Sequence, residues 1–424
     1  MHSSVEKYLS GHAEAEAAQA ILPAGADYSG VVVIPAYDEP AALADTLARL
    51  PAELLTILVI NAPPGTHARN LRLFKALGIK SGNRLTLQQL PNTVLVVDRS
   101  TAPLPPKQGV GLARKIGADI ALALMAAGKL PVTWIHSTDA DVTLPPDYAL
   151  MPPALVPTLA ALVYPFRHVA PTRLAGAATL YEISLLHYVM GLALAGSTYA
   201  HHTIGSTLAF NPTTYAQVRG FPKRAAGEDF YLLNKLAKLG AVRQLAAPVI
   251  EVSGRTSDRV PIGTGPNVAK IAALPEPLRQ YRYYAPATFQ ALAEVLYRLR
   301  TLAAPDTRPD AASFFGEPDP RVAPLVDAWW LSTEPETVLA RSGARSAAQR
   351  TRILTEWFDG FRTMRFIHTM REAGLASIPL PALASNWGLA STSDPVAVLK
   401  YLQHLTFSEW PAGRISGLDA GSNG

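Results

Sequence analysis

The sequence predicts an α/β fold: a mostly parallel central sheet flanked by helices, followed by a helical C-terminal region. Three observations carry this. Short β-branched runs alternate with helical stretches through the first two thirds of the chain, polar residues collect where those runs end, and after about Pro266 helical stretches separated by Pro and Gly take over.

Taken in order, Val31-Val32-Val33-Ile34 is a buried strand and Ala41 to Leu50 has helical spacing. Leu54 to Ile60 and Thr93 to Val97 are further strands, Val110 to Ala127 is a long apolar helix, and Val132 to His136 is a fourth strand. Parallel sheets built this way bind ligands at the carboxyl ends of their strands. There the chain carries Tyr37-Asp38-Glu39, Asn61, Asp98, and Asp139 with Asp141. Farther on, Ala287 to Ala303, Arg321 to Leu331, one long stretch from Ala344 to Ala373, and Pro395 to Leu405 read as helices with core stripes such as Leu354, Trp357, Phe358 and Phe361. The expected organisation is a helical extension over 1–29, an α/β domain over 30–265, a helical region over 266–413 and a disordered Gly/Ser-rich tail over 414–424.

Charged residues make up only 17% of the 424 and hydrophobic ones 49%, against roughly 25% charged in an average soluble domain. That scarcity raises a membrane question. The uncharged stretch from Asp147 to Arg167 is broken by Pro152, Pro153, Pro157 and Pro165, which a spanning helix tolerates poorly. From Ile183 to Val218 there is again no charge, but its compact apolar part, Ile183 to Ala195, is about 13 residues against the roughly 20 a span needs. A buried helix or an interfacial segment is expected there, with no transmembrane segment, so any membrane contact would be interfacial. The N-terminal stretch carries Glu6, Glu14 and Glu16 and no apolar core, unlike a signal peptide, so a cytoplasmic location is expected. The absence of cysteine removes disulfides, thiolate-held metals and thiol catalysis together. The net charge of +5 is spread along the chain without a basic stripe, so nucleic acid is not an expected partner.

Three acidic or basic clusters carry the candidate chemistry. Asp139 and Asp141 follow a strand, and continued extended geometry would project both to one side. Two close carboxylates stay ionised most readily around a cation, which suggests a hard divalent ion, Mg²⁺ or Mn²⁺; the bland reading is a solvated turn. Glu228-Asp229 opens a helical run, Phe230 to Leu239, and fits either helix capping or a general base kept ionised at a helix N-terminus. Arg255 and Arg259, in a Gly-flanked loop, fit a phosphate clamp or, equally, surface pairs with Asp258. The run Gly109-Val110-Gly111 begins like a dinucleotide fingerprint, but Arg114 stands at the third glycine position and a Pro-rich loop separates it from the preceding strand. Oxidoreductase and P-loop readings both weaken.

In order, VVVIPAYDEP, KQGVGLARKIGADIAL, WIHSTDADVTLPPDY and GSTLAFNPTTYAQVRGFPKRAAGEDFYLLNKLAKLG resemble the family 2 glycosyltransferases of the GT-A fold, over about residues 30–260. The resemblance implies an inverting transfer of a single sugar from a nucleotide-diphospho-sugar donor, a UDP- or GDP-sugar, with Mg²⁺ or Mn²⁺ on the diphosphate. It implies that Pro35, Tyr37, Asp38 and Glu39 lie against base and ribose, that Lys107 and Arg114 approach the nucleotide, and that Asp139 lies near ribose or metal with Asp141 as direct metal ligand. It further implies Asp229 as catalytic base with Glu228 beside it at the acceptor edge, and Gly205 and Ser206 in the acceptor pocket. The chain departs from the family at Asn61, where an Asp that reads the base is expected; Asp98 could substitute. The motif of processive members is absent, which favours addition of one sugar, and Arg255 and Arg259 become the candidate diphosphate contacts. His202, with His201, would edge the acceptor pocket, cap the preceding helix or add a metal ligand. The uncharged stretch up to Val218 points to an uncharged or partly apolar hydroxyl-bearing acceptor. The alternative is a GT-A-shaped nucleotide-sugar-binding or scaffold protein without turnover, against which the presence of Asp139 and Asp141 together with Asp229 argues.

Overall fold

A computed structural model describes residues 2–22, 27–82, 85–89, 92–149, 158–257, 259, 262–304, 315, 317–344, 346–389 and 394–410. The expected tail, Asp258, and Pro152, Pro153 and Pro157 of the first uncharged stretch lie outside them. The chain divides into two compact units, one made of 1–169, 203–253 and 257–263, the other of 170–202, 254–256 and 264–424.

In chain order the helices to residue 236 are α1 (His2–Gly11), α2 (Leu43–Ala48), α3 (Leu71–Ala76), α4 (Gly109–Ala126), α5 (Thr172–Leu194), α6 (Pro212–Gln217) and α7 (Glu228–Leu236). The strands are β1 (Gly30–Ala36), β2 (Leu54–Asn61), β3 (Leu85–Gln89), β4 (Thr93–Arg99), β5 (Ile135–Ser137), β6 (Leu159–Val163), β7 (Phe166–Val169), β8 (Leu208–Phe210), β9 (Ala241–Gln244) and β10 (Ile250–Ser253).

All of the strands and all of these helices except α5 belong to the first unit. An eight-stranded sheet runs β3-β4-β2-β1-β5-β8-β6-β9, and β10 pairs with β7 separately. β1 pairs in parallel with β2 and β5, β2 with β4, and β6 with β9; β3 and β8 run antiparallel to their neighbours. The sheet is thus mostly parallel and helix-flanked, as its residues predict. β1 and β2 are buried along their whole length, which is why they read as continuous apolar runs rather than alternating ones. Helix α4 packs on them through Ile116, Ile120 and Leu124, and Gly117 is required because a Cβ there would sit 2.3 Å from Val33 Cγ1.

Two local expectations are corrected. The fourth strand pairs only over Ile135–Ser137, so extended geometry does not continue to Asp139 and Asp141; a turn at Ala140 and Asp141 replaces it. The stretch Ala344 to Ala373 is not one helix but two, because Asp359 caps a new start by accepting from the Arg362 amide at 3.2 Å.

The second unit is helical: α5, then α8 (Thr264–Ala272), α9 (Pro277–Gln280), α10 (Pro286–Ala303), α11 (Val322–Thr333), α12 (Pro335–Ser342), α13 (Ala347–Trp357), α14 (Gly360–Glu372), α15 (Leu380–Asn386) and α16 (Pro395–His404). Its core gathers Phe289, Leu292 and Val295 of α10 with Val326, Phe358, Phe366 and Ile367. Among the described residues α5 alone has the length and apolarity to cross a membrane, yet 72% of its most apolar stretch is buried. It starts at Thr172, well before the apolar run expected from the sequence, and directly after Pro171, whose fixed φ suits a helix entry.

Candidate active site

The site forms in the first unit where β1 and β5 end and α7 begins. At its centre is Arg114 of α4, a buried arginine whose guanidinium is used on every side. Nε donates to Glu228 Oε1 at 2.9 Å, Nη1 to Ser137 Oγ at 2.8 Å and the Thr138 carbonyl at 3.1 Å, and Nη2 to Asp139 Oδ1 at 2.5 Å. Burial opposes the charge on this guanidinium, but Asp139 and Glu228 more than offset it, and its pKa is raised. One cation therefore joins an acid 25 residues away to another 114 residues away. Gly205 lies against it: a Cβ would come within 2.5 Å of Nη2 and 3.4 Å of Asp229 Oδ2. The expected acceptor-pocket glycine thus packs directly on the Arg114 and Asp229 groups. Neighbouring Ser206 is buried, and its carbonyl accepts from Thr138 Oγ1 at 2.8 Å.

Asp229 is half-buried in the first turn of α7, which Gly227 starts with a φ of 72°, a left-handed conformation that favours glycine. Burial first, and the neighbouring Glu228 carboxyl second, push its pKa up to about 7; the amide of Phe230, donating at 2.7 Å, and Arg114 pull the other way. A carboxyl poised near neutrality at the edge of a site has the property a general base requires.

The second cation is Arg259. Its Nη1 donates to the Tyr37 carbonyl at 2.8 Å and pairs with Glu39, and Nη2 stands 3.6 Å from Asp141 Oδ2. Arg259 thus faces the β1 end and the Asp139–Asp141 turn together. Around the two guanidinium groups stand five carboxyl groups, those of Glu39, Asp139, Asp141, Glu228 and Asp229, so acid is in excess.

Among the described residues no three of His, Asp and Glu come together to hold a metal ion. The hard carboxylate oxygens of Asp139 and Asp141 fit a divalent cation that completes its shell with water and substrate phosphates, as Mg²⁺ commonly does, and do not fit a fully protein-caged ion.

The rest of the first-strand motif is held by a network that the sequence did not reveal. Asp38, at a φ of 56°, is paired with Arg69 at 3.1 Å and Arg72 at 2.7 Å, and its amide donates to Asn70 Oδ1 at 2.9 Å. Asn61 Nδ2 donates to the Ala36 carbonyl at 3.1 Å and so ties β2 to β1. The available signal was the pair of arginines three apart in HARNLR, in the connection that follows β2. Pro35 is buried within β1, and Tyr37 is half-buried.

The remaining expected residues stand in the following settings. Asp98 is buried and spends both oxygens on its own surroundings, accepting from the Gly82 and Ser100 amides at 2.6 and 2.8 Å and from the Ser100 hydroxyl at 2.7 Å. Lys107 is exposed in the loop before α4. Arg255 and His202 fall in the second unit, where His202 is buried beside Phe407 and burial lowers its pKa to about 3, keeping the imidazole neutral. Gly109 and Gly111 have a role unrelated to nucleotides. They let residues 222–225 lie on the first turn of α4: a Cβ on Gly111 would meet the Pro222 carbonyl oxygen at 2.4 Å, one on Gly109 the Ala225 Cα at 2.9 Å, and the Gly111 amide donates to the Arg224 carbonyl at 2.9 Å.

No family model and no curated protein matches the chain. Among solved structures it is similar to S. aureus TarS 1–349 in complex with UDP-GlcNAc, at 11% identity and a TM-score of 0.33, over 91% of this chain and 92% of that one. It is likewise similar to S. aureus TarS 1–349 in complex with UDP, at 12% identity and a TM-score of 0.30, over 81% of this chain and 91% of that one.

Proposed function

We propose that the first unit is a GT-A-type glycosyltransferase domain that moves a single sugar from a nucleotide-diphospho-sugar to an acceptor hydroxyl, with inversion. The observation that carries this reading is Asp229, held at the start of α7 with its pKa near neutrality, beside an Arg114 that also grips Asp139 at the end of β5.

Asp229 takes the proton of the acceptor hydroxyl while that oxygen forms its bond to the anomeric carbon. The bond from that carbon to the diphosphate oxygen breaks on the opposite face, and the electron pair leaves with the nucleoside diphosphate. Glu228, fixed by Arg114, lies at the acceptor edge and keeps Asp229 basic enough to accept the proton. Tyr37, Asp38 and Glu39 line the base and ribose side, with Asp38 oriented by Arg69 and Arg72. The acid excess around Arg114 and Arg259 would repel a bare diphosphate, which is the physical argument for a cation between them. Mg²⁺ or Mn²⁺ bound through Asp141, with Asp139, would supply Lewis-acid stabilisation of the departing charge. Arg259 is the candidate diphosphate contact in this unit. The acceptor is an uncharged or partly apolar alcohol.

The test is release of nucleoside diphosphate from UDP- and GDP-sugars with Mn²⁺, with and without a panel of sugar, lipid and glycoside alcohols. Acceptor-dependent release supports the reading. Binding of nucleotide without release across the panel would identify a binding protein instead.

A further inference from the structure

Lys115 and Asp119, two buried charges that the transfer reaction leaves unused, lie on the far side of α4. Lys115, next to Arg114 in sequence, points away from it and donates to Tyr8 Oη, to the His12 carbonyl at 2.9 Å and to Asp119 Oδ2 at 2.7 Å. Asp119, fully buried, also accepts from Tyr8 Oη at 2.6 Å, Tyr215 Oη at 2.9 Å and the Glu14 amide at 2.8 Å. The Glu14 side chain pairs with Lys223 at 2.6 Å and stands 3.8 Å from Lys115. Gly220, at a φ of 69°, is closed in by Tyr8, whose Oη would lie 2.5 Å from a Cβ there.

The N-terminal residues therefore grip two segments at once. One is α4, which carries Arg114; the other is the 219–227 loop, which rests on Gly109 and Gly111 and delivers Glu228 and Asp229. A buried, fully bonded polar cluster of this kind fixes one arrangement, because a partly broken one strands a charge away from water.

We propose that Tyr8 and Glu14 are positioning residues: by tying α4 to the 219–227 loop, they set Glu228 and Asp229 against Arg114. This rests on the transfer reading only for its catalytic consequence; the positioning itself is measurable without substrate.

The experiment uses the full chain carrying Tyr8→Phe and Glu14→Gln together. Amide hydrogen exchange at residues 227–231 is expected to speed up about tenfold, while amides of β1 and β2 keep their rates. A charge exchange, Glu14→Lys with Lys223→Glu, is expected to recover most of the protection that Glu14→Lys alone loses. Unchanged exchange at 227–231, or a uniform acceleration that includes β1 and β2, overturns the proposal, the second because it marks a general loss of stability. In protein that releases nucleoside diphosphate, the variant carrying Tyr8→Phe and Glu14→Gln should lower kcat about tenfold and change the donor KM less than about twofold. An unchanged kcat there also overturns it. Wild-type protein without any turnover refutes the transfer reading, and the exchange result then still decides the positioning.

Discussion

Replacing Gly205 by alanine tests the site with a single methyl group. The new Cβ would lie 2.5 Å from Arg114 Nη2 and 3.1 Å from its Cζ, so something must move. The obstacle is the end of a long side chain, which elsewhere could swing aside at little cost. Here it is buried and held by Glu228, Ser137, Thr138 and Asp139, so movement breaks at least one charge-assisted hydrogen bond, a loss of about 1.5–3 kcal/mol. Gly205 does not need a positive φ, so alanine gains back roughly 0.4–1 kcal/mol by restricting the unfolded chain. The net expectation is a destabilisation of about 1–2 kcal/mol, read from the urea midpoint. Turnover should fall further, by roughly a hundredfold, because a shift of Arg114 by about an ångström carries Glu228 and Asp139 with it. Gly176→Ala is the control: within α5 nothing lies within 4 Å of its Cβ, and a stabilisation of about 0.5–1 kcal/mol is expected. Gly205→Ala with wild-type stability and turnover would refute the account of Arg114 as a pinned group.

Other perturbations follow from the same geometry. Gly111→Ala drives a Cβ to 2.4 Å from the Pro222 carbonyl oxygen and 2.7 Å from the Arg224 amide nitrogen; these are backbone atoms, so a loss of about 1–3 kcal/mol is expected, visible in the urea midpoint and in faster exchange of the amide at position 111. With the Asp229 carboxyl pushed up to about 7, kcat/KM for transfer should rise with pH, about tenfold per unit, until it levels above that value. The same shift weakens the fold as pH rises: between the ordinary value of 3.8 and about 7 the folded chain holds a proton that the unfolded chain has released. This group's stabilisation is therefore full below 3.8 and lost through 7, so the stability of Asp229→Asn relative to wild type should rise as pH goes from 3.8 to about 7 and level off above it, measured by paired urea titrations.

The parts of the molecule that local pattern governs were legible in the sequence. β1 and β2 announce themselves because both faces are buried, leaving runs such as Val31 to Ile34 with no polar alternation. The length of α4 follows from its apolar composition and its C-terminal boundary from the Gly128-Lys129 that succeeds it. The acidic pairs were visible as pairs, but their geometry was not. β5 stops at Ser137, so the side on which Asp139 and Asp141 stand is set by the turn and by Arg114 and Arg259 rather than by strand alternation. Contacts that span large sequence separations left no local trace: Tyr8 with Asp119 across 111 residues, and Arg259 with Glu39 across 220. Gly109 and Gly111 show the complementary failure. A glycine pair before a helix signals close approach of something, and here that partner is the chain's own 222–225 segment. The helix break at Phe358 was hidden because its apolar stripe runs on across it, while the Asp359 cap that ends the continuity is a single side chain.

Asp229 is proposed as the base of a sugar transfer. The most direct measurement compares wild type and Asp229→Asn for acceptor-dependent release of nucleoside diphosphate, alongside Mn²⁺-dependent nucleotide binding by calorimetry. Transfer is expected to fall by about 10²–10⁴ while nucleotide affinity stays nearly intact. An Asp229→Asn protein that transfers at the wild-type rate would contradict it.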